Sequence, residues 1–186
     1  MTVPPWRTRS SRTIYQNPWL RLREDLVELP SGRTTIYGVV STGSCVGVLP
    51  FLDPDTVVLV RQYRYVAARH TWEMPTGGVM PGEPIEAAAQ RELAEESGYR
   101  AGRLEPVCVY HTSKSVMDET AHLFLASDLT RAEDQPEPDE TESFQVRPHR
   151  FEEVLGMVDS GEIVDSMTII AVLQADRRRP VRGRRR

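Results

Sequence analysis

The chain has 186 residues, 39% of them hydrophobic, enough to bury one sizeable core. No run approaches the roughly 18 consecutive apolar residues of a membrane-spanning helix, and the opening MTVPPWRTRSSRTIY lacks the apolar stretch of a secretory leader, so a cytoplasmic protein with no membrane partner is expected. The formal charge of −4 hides an asymmetry: the last ten residues, RRRPVRGRRR, hold seven arginines, and the rest of the chain stands at −11, a poor match for nucleic acid.

The first half reads as strands. WLRLREDLVEL (19–29) alternates apolar and polar positions, and PSG at 30–32 turns the chain into RTTIYGVVS (33–41). SCVGVLPFL (44–52) and TVVLVRQYR (56–64) form a second pair around a DPD turn. A short strand at 71–74 leads into a glycine-rich loop and then a helix from Pro84 to Gly98. LEPVCVYHT (104–112), TAHLFLAS (120–127) and FQVRPH (144–149) are further strands, and RAEDQPEPDETES (131–143) has the acidic, proline-containing composition of a mobile surface loop. Two helices close the chain: RFEEVLGMVDSG (150–161), with Gly161 as C-cap, and DSMTIIAVLQADR (165–177), with Asp165 or Ser166 as N-cap. Many strands with three helices predict an α/β fold, a mixed sheet between helices. Cys45 and Cys108, the only cysteines, sit in apolar strand-like runs and read as buried thiols of a reducing compartment rather than zinc ligands.

The helix at 84–98 poses the chemical question. At about 100° per residue, Ile85, Ala88, Ala89, Glu92, Glu95 and Glu96 share one arc. Its first half is an ordinary core stripe and its second half is wholly acidic. Solvated glutamates belong opposite an apolar stripe, whereas these continue it, at the helix end whose dipole prefers cations. Three carboxylates so close repel one another, and a hard cation with oxygen ligands, Mg²⁺ or Mn²⁺, is what holds such a group ionised. Arg91, one turn before Glu95, is placed to pair with part of the cluster.

With Gly77, Glu83, Arg91-Glu92-Leu93, Glu95-Glu96 and Gly98, the segment resembles the Nudix hydrolase signature, with every spacing kept at eight fixed positions over 22 residues. Only Tyr99 departs, an aromatic where an aliphatic is usual. The resemblance implies a Nudix-type α/β/α sandwich with a mixed sheet, in an enzyme that hydrolyses a nucleoside diphosphate linked to another moiety. It implies that Glu92 and Glu96, with Glu95 contributing, ligate divalent metal, that the Thr76 carbonyl adds a ligand, and that Glu83 is structural, paired with Arg91. A bound cation there neutralises the diphosphate and lowers the pKa of an attacking water.

The likeness extends from about Tyr15 to Leu173. YQNPWLRLREDLVELPSG, VVLVRQYR and WEMPTGGVMPGE resemble the ADP-ribose pyrophosphatase group, whose amino-terminal antiparallel strand layer helps build a dimer and grip the nucleotide. This implies a strand layer over 1–43, a hydrolase domain over 44–176, a disordered arginine-rich tail over 177–186, and a homodimer. Arg64 matches a substrate-contacting position and Glu73 one near the terminal ribose or the signature loop. A guanidinium suits phosphate bidentately. The group's SPG-like segment is replaced here by Thr112, Lys114 and Ser115, ahead of Asp118-Glu119, so Lys114 and His111 are candidates to read a different sugar or phosphate. The general base of the group comes from an acidic loop, where Glu142 corresponds and Glu140 is its neighbour. Tyr15, Trp19 and Tyr65 are the aromatic candidates for stacking a base.

The expected reaction is therefore metal-dependent hydrolysis of a nucleoside diphosphate sugar, an ADP-sugar first, to a nucleoside monophosphate and a sugar phosphate. The competing readings are another nucleotide substrate (GDP-mannose, a dinucleotide, a nucleoside triphosphate) and a non-catalytic nucleotide-sugar sensor on the same fold. The arginine tail adds only a weak, salt-dependent attraction for nucleic acid.

Overall fold

The computed structural model describes residues 5–133 and 145–179. Two compact units are present, one from Met1–Ser44 with His111–Thr120, the other from Cys45–Tyr110 with Ala121–Arg186.

The first unit is a three-stranded antiparallel sheet, β1 (Arg7–Gln16), β2 (Arg21–Glu28) and β3 (Thr34–Ser41), in that order. Strand β1 has no sequence counterpart among the expected elements, because every one of its residues is exposed and RTRSSRTIYQ carries no alternation to read. Cross-strand charge sets its register instead: Arg9 pairs with Glu28, and Arg12 with Glu24 at 2.7 Å. Beyond β3, the Val40 amide donates to Val116 O at 2.8 Å and the Asp118 amide to Val40 O at 3.1 Å, tying the 111–120 segment to the sheet. The Tyr37 hydroxyl adds a bond to Ser115 O at 2.7 Å.

The second unit is built on a seven-stranded mixed sheet. Its strands are β4 (Ser44–Asp53), β5 (Thr56–Arg64), β6 (Arg69–Glu73), β7 (Thr76–Gly78), β8 (Tyr99–His111), β9 (Thr120–Arg131) and β10 (Gln145–Arg150). The path runs β10-β5-β4-β9-β8, with β6 beside β5 and β7 beside β4. Three helices, α1 (Ile85–Ser97), α2 (Phe151–Asp159) and α3 (Ser166–Arg178), complete it.

Period-two alternation on the central strands divides the core between the two faces. Val46 and Val48 of β4, with Phe124 and Ala126 of β9, pack with Ala88, Ala89 and Leu93 of α1. On the opposite face, Leu49 and Leu123 pack with Phe151, Val154 and Met157 of α2 and Met167, Ala171 and Val172 of α3. This is the expected α/β/α sandwich. Gly161 is not the C-cap of α2: Ser160 takes that position, and Gly161, at φ +75°, is the left-handed residue just past it. No helix among the described residues is long and apolar enough to cross a membrane.

Candidate active site

Helix α1 starts at its N-cap Pro84, whose carbonyl accepts from the Ala88 amide at 3.0 Å. Proline there wastes no donor. Gly98 ends the helix at φ 72°, with its N–H on Ala94 O, a conformation that favours glycine. Between these ends the acidic stripe stays on the buried side. Glu92 is 9% exposed, Glu96 4%, and Glu95 is half-buried. A solvated acidic helix end is thereby excluded for two of the three carboxylates.

Four residues shape the carboxylates. Gly77, on β7, passes so close to α1 that any Cβ there would overlap the carboxylate of Glu92. Thr76 donates its backbone N–H to Glu96 Oε2 at 3.0 Å. Arg91 donates to both oxygens of Glu83 at 2.9 Å, to Glu92 Oε1 at 2.6 Å, to Glu95 Oε2 at 3.0 Å and to Gly78 O at 2.9 Å. Glu83 in turn accepts from the Met80 amide at 3.0 Å, so one bidentate ion pair fastens the loop at 80–83 to the helix. The Arg91 guanidinium, helped by the Met80 N–H, holds the Glu83 carboxyl down at about 2, against its ordinary 4.5.

Among the described residues, no three acidic, histidine or cysteine side chains converge into a ready cation cage. Yet the set fits a hard divalent ion. Glu83, Glu92 and Glu95 share one guanidinium and are net negative, Glu96 adds a further buried carboxylate, and every candidate donor is oxygen, three of the carboxylates on one rigid helix and the Thr76 carbonyl on the adjoining strand.

Arg64 and Glu73 form a second, adjoining pair. Glu73 ends β6, is 2% exposed, and accepts from Arg64 Nε at 2.9 Å and Nη2 at 2.7 Å and from the Thr71 hydroxyl at 3.2 Å. Burial pushes the Glu73 carboxyl up, and Arg64 opposes that shift. Arg64 is half-exposed and within electrostatic reach of Glu96 and Asp165. Its Nη1 makes no hydrogen bond among the described residues and remains available to an anion.

The other candidates are spread more widely. His111 and Lys114 are exposed and belong to the first unit, where His111 Nδ1 lies 3.5 Å from the Thr120 hydroxyl. Tyr15 and Trp19 are exposed in that unit, and Tyr65 is exposed on the β5–β6 turn. Glu140 and Glu142 lie outside the described residues. Sequence reading missed Thr168 and Tyr110. The Thr168 hydroxyl accepts from the Met74 amide at 3.0 Å, and burial pushes the Tyr110 hydroxyl up while a hydrogen bond with Ser166 opposes that shift. Asp165 and Ser166 were the two cap candidates and Asp165 takes the position, but nothing local announces what Thr168, which it caps, goes on to meet.

A sandwich whose central helix buries carboxylates at its far end is suited to metal-assisted hydrolysis, and the matches to known proteins supply the class. The NUDIX domain profile matches residues 42–166, and the profile of the nucleoside diphosphate sugar hydrolase N-terminal domain matches residues 6–40. The chain is 34% identical over 166 residues to the ADP-ribose pyrophosphatase of Bacillus subtilis (strain 168), covering 89% of this chain and 90% of the relative. It is 32% identical over 166 residues to the methanol dehydrogenase activator of Bacillus methanolicus, with the same coverage of both chains. A crystal structure of an ADP compounds hydrolase shares the fold at a TM-score of 0.85 and 20% identity, over 95% of each chain. The chain belongs to the Nudix family of pyrophosphohydrolases, whose members generally use a divalent metal.

Proposed function

We propose that the protein hydrolyses the pyrophosphate bond of a nucleoside diphosphate sugar, an ADP-sugar such as ADP-ribose foremost, to a nucleoside monophosphate and a sugar phosphate. The observation that carries this reading is the burial of Glu92 and Glu96 on the face of α1 that continues its apolar stripe. The 6–40 match and the name of the B. subtilis relative support the substrate class.

In this reading Glu92, Glu95 and Glu96, with the Thr76 carbonyl, hold Mg²⁺, for which Mn²⁺ can substitute. The bound cation supplies charge neutralisation of the diphosphate and a lower pKa for an attacking water. Glu83 and Arg91 keep the signature loop against the helix. Gly77 leaves room for the Glu92 carboxylate. Arg64 meets a phosphate oxygen with its open Nη1, and Glu73 aims that guanidinium from behind rather than touching the sugar. Glu142, with Glu140 beside it, accepts the proton of the attacking water, and His111 and Lys114 contact the sugar or terminal phosphate.

The homodimer belongs to the same reading. Leu26 and Ile36, facing cross-strand partners of the three-stranded sheet, are both exposed, Ile36 at 66%. An exposed apolar pair of this kind, flanked by charged residues, suits contact with a second copy of the chain. Light scattering at micromolar concentration tests it, and a monomeric mass removes it.

The activity test is a panel of nucleotide sugars incubated with purified protein and Mg²⁺, with the nucleotide products identified. AMP released fastest from an ADP-sugar is the expected result. Turnover of GDP-mannose with ADP-sugars untouched overturns the ADP-sugar assignment, and turnover of a nucleoside triphosphate with every nucleotide sugar untouched overturns the substrate class.

A further inference from the structure

We propose that Thr168 is a positioning residue for the acidic face of α1, acting through the backbone that joins β6 to β7. The inference rests on the metal reading of Glu92, Glu95 and Glu96 given above and names a residue, on another helix and the opposite face of the sheet, that sets how well they bind.

Thr168 lies in the first turn of α3 and is fully buried. Its backbone N–H donates to Asp165 Oδ2 at 2.7 Å, the ordinary N-cap bond. Its hydroxyl donates to the same oxygen at 2.7 Å and accepts from the Met74 amide at 3.0 Å. With its hydrogen committed to Asp165, the hydroxyl presents a lone pair to Met74, so cap and acceptor are one device.

What Met74 precedes gives the bond its reach. Pro75 offers no N–H, and its carbonyl accepts from the Val48 amide at 3.0 Å. Thr76 pairs with Gly47 of β4 and turns its own N–H onto Glu96 Oε2. Only Pro75 therefore separates the residue whose amide is held by Thr168 from the residue whose amide holds Glu96. Gly77, against which Glu92 lies, follows directly. Among the described residues, Thr168 is the one side chain of α3 bonded to this backbone; the backbone's other partners are main-chain groups of β4 and the Glu96 and Arg91 side chains of α1. An outer-sphere partner that fixes a ligand's orientation commonly governs metal affinity by about 10- to 100-fold.

The bland reading is a helix cap that also satisfies a stray amide, important to stability and silent in metal binding. The two are separated by Thr168→Val, which keeps the shape and removes the hydroxyl, and Thr168→Ser, which keeps the hydroxyl. The readout is Mn²⁺ bound by the substrate-free protein, followed by EPR titration, with the melting temperature of each variant recorded alongside. Expected are Mn²⁺ affinity weakened roughly tenfold or more in Thr168→Val and restored in Thr168→Ser. The Mg²⁺ concentration for half-maximal turnover should rise in parallel.

Should the valine variant not fold, because its second methyl is pressed against the Asp165 carboxylate, Thr168→Ala removes the hydroxyl without that clash and carries the same expectation. Unchanged Mn²⁺ affinity in a folded variant lacking the hydroxyl, or equal losses in the serine and valine variants, overturns the inference while leaving the metal reading intact. A wild-type protein that binds no Mn²⁺ removes both.

Discussion

The carboxylate of Glu92 lies where a side chain on Gly77 would have to stand. Strand β7 and helix α1 meet at this point, and the absence of a Cβ on one is what lets the other direct a charged group inward. Gly77 is thus a matter of space rather than of backbone angle, whereas Gly98, at φ 72°, is the reverse.

Gly77→Ala is expected to push the Glu92 carboxylate away and to lower kcat by about 100-fold, the usual penalty for displacing a catalytic group by about an ångström. Steady-state kinetics with far-UV circular dichroism as a fold control measure it. A folded alanine variant with wild-type turnover means that Glu92 has no fixed place in the reaction.

Glu83 gives a pH signature. Its folded-state carboxyl sits at about 2 against an ordinary 4.5, so its bonds to Arg91 and Met80 contribute stability above pH 4.5 that is lost as pH falls toward 2. The melting temperature of Glu83→Gln, measured against pH, should lie below that of the wild type at neutral pH and converge with it across that window. A constant gap down to pH 2 contradicts the pairing.

Arg64 and Glu73 test whether an ion pair is held for stability or for aim. Arg64→Ala strands a buried carboxylate and should destabilise the fold by about 1–3 kcal/mol in urea denaturation, less than for a fully buried pair because Arg64 is half-exposed. Adding Glu73→Gln should recover part of that loss without recovering activity. Activity returning with stability argues that Arg64 never touches substrate.

The sandwich and the acidic helix were legible because their signals are local. The apolar runs of β4 and β5, set apart by a DPD turn, mark buried strands, the 3.6-residue stripe on α1 reports a face, and Glu92 and Glu96 stood out by continuing it. Strand β1 was silent because its exposed residues owe their place to Arg9–Glu28 and Arg12–Glu24 pairing, which leaves no pattern within the strand itself. Thr168 was silent for a different reason. Its partner Met74 is 94 residues away, and only the packing of α3 on the sheet brings them together. Gly161 shows the limit of cap reading, since a left-handed glycine marks the end of a helix to within a residue.

One comparison tests the acidic face of α1 most directly: turnover of ADP-ribose at saturating Mg²⁺ by the Glu92→Gln/Glu96→Gln double variant and by the wild type. Both substitutions keep size and one acceptor oxygen for the Arg91 and Thr76 donors while removing charge. The loss of several kcal/mol of charge stabilisation should lower kcat by about 1,000-fold or more, in a protein that still folds. An undiminished rate in the double variant contradicts the assignment of these carboxylates to the reaction.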